Sequence, residues 1–261
     1  MRAIYIETFE ELKKALKYNK CIVYITKTIY PTSTIKINNN IKLIGVNKIT
    51  IDCCHVNSTG IYIRGNNNVL KNLIIRNAGD CGVRIKYGQY NTIINCSFCY
   101  NNNSGLSITK YAAYNTIINC NSYLNCDYHN FGKSADGFSC KLHAGINNKF
   151  INCYSFYNSD DGFDNYDNYN SVYYINCVAY KNGYTFDINN KCFKGNGNGF
   201  KLGSINVNNA YRYLKNCSAF NNRMKGFDQN NSSCIVNMYN CNSQCNKVNY
   251  KLDKCTLLTN N

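Results

Sequence analysis

The residues most able to do chemistry in this sequence are four aspartates and one lysine. Two Asp-Gly-Phe units stand 25 residues apart, beginning at Asp136 and Asp161, and the second is extended on either side by Asp160 and Asp164. The chain has 14 acidic residues against 29 basic ones, so four acids between Ser134 and Asp164 are not scattered surface charge. Carboxylates held close together repel one another and resist ionisation unless a cation lies between them. An all-oxygen ligand set without histidine or cysteine suits a hard divalent cation. Calcium takes six to eight such ligands in flexible geometry, whereas magnesium prefers fewer carboxylates and a stricter octahedron. Either Asp-Gly pair alone reads as an ordinary turn. The two in register favour a calcium cradle.

The register comes from an internal repeat. Asn-Cys recurs at Asn95-Cys96, Asn119-Cys120, Asn152-Cys153, Asn176-Cys177, Asn216-Cys217 and Asn240-Cys241, at spacings of 24, 33, 24, 40 and 24 residues. A period of 24 with two insertions, near Asp127 to Ser134 and Gly183 to Gly195, fits them all. A second mark, Gly followed by an apolar residue, occurs at Gly60, Gly82, Gly105, Gly137, Gly162, Gly199 and Gly226. Two strand-like runs per period, separated by Asn, Ser and Gly turns, describe one coil of a parallel β-helix. Equivalent residues then stack at about 4.8 Å, and about eight coils make a rod near 40 Å long. Asp136 and Asp161 each precede the Gly mark by one residue, while Asp164 and Lys201 each follow it by two. Three successive coils therefore converge on one patch.

The rest of the chain must hold that patch in place. The cysteines of the repeat read as a packed core column, the asparagines as a hydrogen-bonded ladder, and Phe138, Phe163, Phe200 and Phe227 as an aromatic stack. The whole chain, 1–261, reads as a single all-β domain. Within it, 1–45 form an N-terminal cap and the first strands, 46–245 the coils, and 246–261 an irregular last coil. In the cap, Thr8 to Tyr18 reads as a helix with a Thr8–Glu11 capping box and an apolar face of Phe9, Leu12, Ala15 and Leu16. Strands follow at Cys21 to Thr26, Ile35 to Ile37 and Ile41 to Ile44.

Composition narrows the function classes. A formal net charge of +15 favours a polyanionic partner, with an acidic polysaccharide the specific reading and nucleic acid the generic one. No basic run, RNA-binding signature or groove-reading helix appears, so nucleic acid is not expected. No stretch has the eighteen or so apolar residues of a membrane helix, so no membrane partner is expected either. The N-terminus shows no apolar signal-peptide core. Of the 17 cysteines, six share one repeat position, and none has zinc spacing with the three histidines, so they read as structural thiols. Lys201, in GNGNGFKLG, lies beside the acidic patch. As a neutral amine it could remove the C5 proton of a uronate whose carboxylate is bound to calcium, with the 4-linked sugar leaving by β-elimination. Lysine ordinarily titrates near 10.4, so its affinity for the proton must be lowered or the reaction run at alkaline pH. Lys194, Arg212, Arg223 and Lys225 are candidates for carboxylate-binding positions on the rim.

The segments SADGFSCK, NSDDGFD, GNGNGFKLG and NCSAFNNRMKGFDQNN resemble, in order and spacing, the core motifs of the family-nine polysaccharide lyases, over roughly Asn95 to Tyr250. These are calcium-dependent pectate lyases. The resemblance implies a single-stranded right-handed parallel β-helix. It implies Ca2+ held by Asp136, Asp160, Asp161 and Asp164, with Lys201 as the base acting on 1,4-linked polygalacturonate. It also implies substrate binding by Lys141, and a monomeric, extracellular enzyme. Two alternatives remain at this point. One is a β-helix glycoside hydrolase of the polygalacturonase kind, although Arg84-Ile85-Lys86 precedes the Asp pair and no Gly-His-Gly occurs. The other is a solenoid that binds a polyanion without cleaving it.

Overall fold

The computed structural model describes residues 2–184, 195–253 and 255–258, the last four by backbone alone. Arg2–Ile6 pairs in parallel with Cys21–Ile25, and between them runs the helix Phe9–Ala15. Thr8 caps that helix: its hydroxyl accepts the Glu11 N–H, and the Glu11 carboxylate accepts the Thr8 N–H. Phe9, Leu12 and Ala15 are buried against the first coil and close the end of the core. The helix is shorter than Thr8 to Tyr18, because the chain turns at Leu16.

Beyond the cap every pairing is parallel, as a solenoid requires. One face is a nine-stranded sheet that runs from Ile35–Ile37, through Ile61–Ile63, Val83–Lys86, Leu106–Thr109, Phe138–Cys140, Phe163–Asp164, Phe200–Lys201 and Lys225–Asp228, to Val248–Lys251. The other pairings form two ladders joined through the long strands Lys42–Asp52 and Val69–Arg76. Each coil thus has three strand positions, not the two read from the sequence. The Asn-Cys pair explains the difference. Asn95, Asn119, Asn152, Asn176, Asn216 and Asn240 all have φ between 49° and 54°. This left-handed conformation is one that asparagine tolerates better than most residues, and it turns a sharp corner within what reads as one run.

At that corner the two residues divide their roles. The asparagine amides hydrogen-bond from coil to coil on the outside, for example Asn152 Nδ2 to Asn119 Oδ1 at 2.9 Å and Asn176 Nδ2 to Asn152 Oδ1 at 2.9 Å. Cys96, Cys120, Cys153, Cys177 and Cys217 point inward and are buried. The described cysteines are free thiols, as the repeat position suggested. The phenylalanine stack forms too, with ring centroids 5.2 Å apart for Phe138–Phe163, 4.6 Å for Phe163–Phe200 and 4.9 Å for Phe200–Phe227.

Two further asparagine ladders lie inside. Asn101, Asn125, Asn158, Asn182, Asn222 and Asn246 form one; each side chain bonds both the backbone N–H and the amide of the asparagine one coil before it. Asn68, Asn91, Asn115 and Asn148 form the other, and then give way to Val172 and Arg212 in the same column. Arg212 does for its coil what the asparagines do for theirs. It is fully buried, and its guanidinium donates to the carbonyls of Leu202 (2.8 Å), Asn170 (2.7 Å) and Asn168 (2.5 Å). Its expected place on a substrate-facing rim is therefore corrected: every guanidinium nitrogen is engaged in holding turns together.

The irregular last coil is corrected as well. Val248–Lys251 and Cys255–Leu258 continue the ladders, and Tyr250 stacks on Phe227 at 5.7 Å. Asn249 stands where earlier coils have the Gly mark, which is why the repeat fades there from the sequence while the backbone carries on. The first insertion forms a turn of 3-10 helix, Tyr128–Asn130. Most of the second, Lys194 included, lies outside the described residues.

Candidate active site

The Gly marks exist because neighbouring coils approach closely there. A Cβ at Gly162 would lie 2.6 Å from the Gly199 carbonyl oxygen, so any side chain would push two coils apart. The residues flanking each mark are therefore held in strict register. Phe138, Phe163 and Phe200 pair inward, and between them Ser139, Asp164 and Lys201 pair outward on three successive rungs. The position before the mark forms a second column of Asp136, Asp161, Asn198 and Lys225, fixed by Gly137 N–H to Asp161 O (2.9 Å), Gly162 N–H to Asn198 O (2.8 Å) and Gly199 N–H to Lys225 O (2.7 Å). Both columns expected from the repeat are present.

Donor oxygens of Asp136, Asp161 and Asp164 lie within 4.8 Å of one another, all three residues buried. Asp160 is buried beside them, but it is not one of that group; its Oδ1 accepts the Asn196 N–H at 2.6 Å. Two ammonium groups stand among the acids. Lys141 Nζ bridges Asp136 Oδ2 (2.6 Å) and Asp164 Oδ2 (2.9 Å). Lys201 Nζ lies 3.1 Å from Asp161 Oδ2 and 3.8 Å from Asp164 Oδ1, beneath the ring of Tyr166.

Neutral donors that the sequence reading passed over fix the carboxylates. Asn198 gives both its backbone N–H and its amide to Asp161 Oδ1, each at 2.8 Å. The Ser104 hydroxyl reaches Asp136 Oδ2 at 3.1 Å, and the Tyr166 N–H reaches Asp164 Oδ1 at 2.9 Å. Ser104 and Asn198 precede Gly105 and Gly199, so the same count that found Asp136 and Asp161 would have found them.

Burial is the largest influence on each acid. It pushes Asp136 up to about 7, with Lys141 pulling the other way and Asp164 and Asp161 adding to the rise. Burial and the neighbouring acids likewise raise Asp160, and burial raises Asp161 despite Lys201. At Asp164 burial is outweighed by Lys201 and Lys141, which together hold it below the usual carboxylate value. The lysines answer in kind. Burial disfavours their charge, yet Asp161 and Asp164 hold Lys201 protonated well above the ordinary value, and Asp136 and Asp164 do the same for Lys141. Four buried acids thus draw in whatever positive charge is available.

The donor set fits a hard divalent cation. Three carboxylate oxygens converge, no histidine or cysteine joins them among the described residues, and Asp161 Oδ2 is buried without a hydrogen bond. Lys201 is within ion-pair distance of that oxygen but off its hydrogen-bonding direction. Calcium, tolerant of several carboxylates, suits this set better than magnesium.

The remaining rim candidates are also accounted for. Arg223 Nη1 donates to the Gly195 carbonyl at 2.9 Å, and Lys225 Nζ pairs with Asp228 Oδ2 at 2.7 Å. Both have partners within the protein.

Comparison with known proteins places the chain in a family. Residues 7–261 match the family described as the Pel9A-like, right handed beta helix region. The chain is 40% identical over 193 residues to pectate lyase L of Dickeya dadantii (strain 3937), covering 74% of this chain and 45% of that protein. It is 36% identical over 212 residues to pectate lyase L of Paenibacillus polymyxa (strain SC2), covering 75% and 46% respectively. The chain thus spans a little under half the length of these curated relatives. The crystal structure of pectate lyase Pel9A superimposes with a TM-score of 0.85 at 30% identity, over 96% of this chain and 71% of that one. The chain belongs to the Pel9A-like, right-handed β-helix family.

Proposed function

We propose that this chain is an extracellular pectate lyase, acting as a monomer on 1,4-linked polygalacturonate by calcium-assisted β-elimination. The relatives named pectate lyase support the reaction class. The observation that carries the mechanism is the placement of Lys201 on the rung beside Asp164, within 3.1 Å of Asp161. Asp136, Asp161 and Asp164 are the ligands at the centre, and Asp160 is the fourth. Bound calcium would neutralise these acids, acidify the C5 proton of a uronate whose carboxylate it shares, and relieve the pull that keeps Lys201 protonated.

Lys201 then acts as general base. Its neutral amine accepts the C5 proton, the electron pair forms the C4–C5 double bond, and the C4–O4 bond breaks with the leaving oxygen taking a proton from water. Burial of the lysine between Asp161, Asp164 and the Tyr166 ring fixes its direction of approach, which is the positional part of the catalysis. Asn198 and Ser104 hold two of the carboxylates in place from behind. Lys141, which stands between Asp136 and Asp164 at the edge of the same patch, would meet the substrate carboxylate.

Incubation with polygalacturonate and calcium tests this directly. Unsaturated product, absorbing near the ultraviolet edge, is expected to accumulate, and EDTA should abolish it. New reducing ends without unsaturation would identify a hydrolase instead. Saturable retention of the polymer with no product of either kind would identify a binding solenoid.

A further inference from the structure

A groove of about 290 Å³ opens directly against the acidic patch and shares Lys141 with it. It lies on the outer surface of the nine-stranded sheet, on the side of the N-terminal cap. Arg84, Lys86, Lys110 and Lys141 line it together with the hydroxyls of Ser107 and Thr109, and no Asp or Glu is among its lining residues. Arg84 is paired with Asp80 and Lys141 with Asp136 and Asp164, which leaves Lys86 and Lys110 as two cations on one concavity without an acidic partner among the described residues, a charge that favours an anion.

Its register ties it to the site. The column that holds Asp164 continues toward the cap as Ser139, Ser107 and Arg84, one residue per rung. Arg84 is therefore three rungs from Asp164, roughly 14 Å at the inter-strand spacing. Lys86 and Thr109 are paired neighbours in the next outward column, and the Lys141 N–H, bonded to the Ile108 carbonyl at 3.0 Å, carries the same register one rung on. Arg84 is anchored through Nη2 to Asp80 Oδ1 at 3.0 Å, and its Nε is buried with no acceptor. In the opposite direction the column continues from Lys201 to Asp228, whose carboxylate is paired with Lys225. That side offers an anion a neutralised pair. The cap side also has a pair, Arg84 with Asp80, but adds Lys86 and Lys110, which have no acidic partner among the described residues.

We propose that this groove binds the uronate units of the substrate that extend from the metal site toward the N-terminal cap, with Lys86 and Lys110 as the carboxylate-recognising residues and Arg84 as the anchored donor between them. The proposal rests on the uronide reading given above. It assigns the chain a lopsided binding cleft, in which affinity grows with substrate length on one side of the scissile bond. A uronide repeat is comparable in length to one rung, so successive carboxylates fall on successive cations.

The test uses the full chain carrying Lys201→Ala, so that polymer is bound but not cut. Dissociation constants are measured with calcium for a trimer and a hexamer of galacturonate. In the Lys201→Ala chain the hexamer is expected to bind much the tighter. Adding Lys86→Gln and Lys110→Gln should weaken the hexamer about tenfold, about threefold for each of two solvent-screened charge pairs, and shrink the gap between hexamer and trimer. Lys149→Gln with Lys215→Gln removes the same charge from another face and should change hexamer binding less than twofold. Equal losses in the two double variants would overturn the groove while leaving the uronide reading intact. Failure of the Lys201→Ala chain to bind either oligomer overturns both.

Discussion

Two kinds of column run along this solenoid, and they follow opposite rules. The structural columns repeat one residue type from coil to coil: asparagine at the corner and in the two internal ladders, cysteine beside the corner, phenylalanine in the core. The column that carries the site changes at every rung, from Arg84 through Ser107, Ser139, Asp164 and Lys201 to Asp228. The physics accounts for both. A neutral amide both donates and accepts, so a stack of like amides satisfies itself, and a stack of like rings gains offset contact. A stack of like charges at the same spacing repels. A charged column must therefore alternate sign or recruit a cation, and this one does the first with Asp164, Lys201 and Asp228. The adjoining column, where Asp136 and Asp161 meet, is where a cation is needed.

It follows that the repeated columns should carry stability and the varied columns function, and substitutions can break or sharpen that division. The largest loss is expected at Phe163, which stacks on Phe138 and Phe200 and meets Phe150 and Tyr174 edge-on. Phe163→Ala should cost about 3–5 kcal/mol in a denaturant titration. Asn182→Leu comes next. It removes the acceptor of the Asn158 N–H and amide, and the orphaned backbone donor alone is worth about 1–3 kcal/mol. At the exposed corner ladder, Asn152→Gly, which keeps the left-handed corner accessible, should cost only about 1 kcal/mol, the net worth of solvated hydrogen bonds. Least of all is Asp161→Asn in the absence of calcium, expected to lie within about 1 kcal/mol of the parent because burial and Asp164 already disfavour the Asp161 charge, while Lys201 keeps Asp164 as its partner. The same variant should lose the rise in melting temperature that calcium gives the parent. If Asp161→Asn destabilises as much as Phe163→Ala, the division between the two kinds of column fails.

Much of the site was legible because the repeat is strict. Counting from Gly137, Gly162 and Gly199 put Asp136 beside Asp161 and Asp164 beside Lys201, and the pairing of Phe138, Phe163 and Phe200 has that register. Arg212 shows what a charge inventory misses. It looked like a rim cation, yet it stands four residues before Asn216, where Asn91, Asn115 and Asn148 stand before Asn95, Asn119 and Asn152. That count alone marks it as the occupant of an internal ladder. Arg84 and Lys86 were noticed for a superficial likeness to a hydrolase motif, and their positions two and four residues after Gly82 place them in the outward columns of Asp164 and Lys141. The third strand position was not legible because nothing in a run such as Thr116 to Tyr123 announces that Asn119 reverses the sign of its φ. The charge state of Lys201 was also beyond the sequence. Proximity to acids was evident, but its burial between two of them, which keeps it protonated in the metal-free protein, is a matter of packing.

The most direct test of the central claim is Lys201→Ala, assayed for unsaturated product from polygalacturonate in the presence of calcium, alongside calcium-dependent melting of the same protein. Product formation is expected to fall about a thousandfold, the usual worth of a positioned base, while the calcium-induced rise in melting temperature is retained. A variant that still forms product within a few-fold of the parent's rate would contradict the assignment of Lys201 as the base.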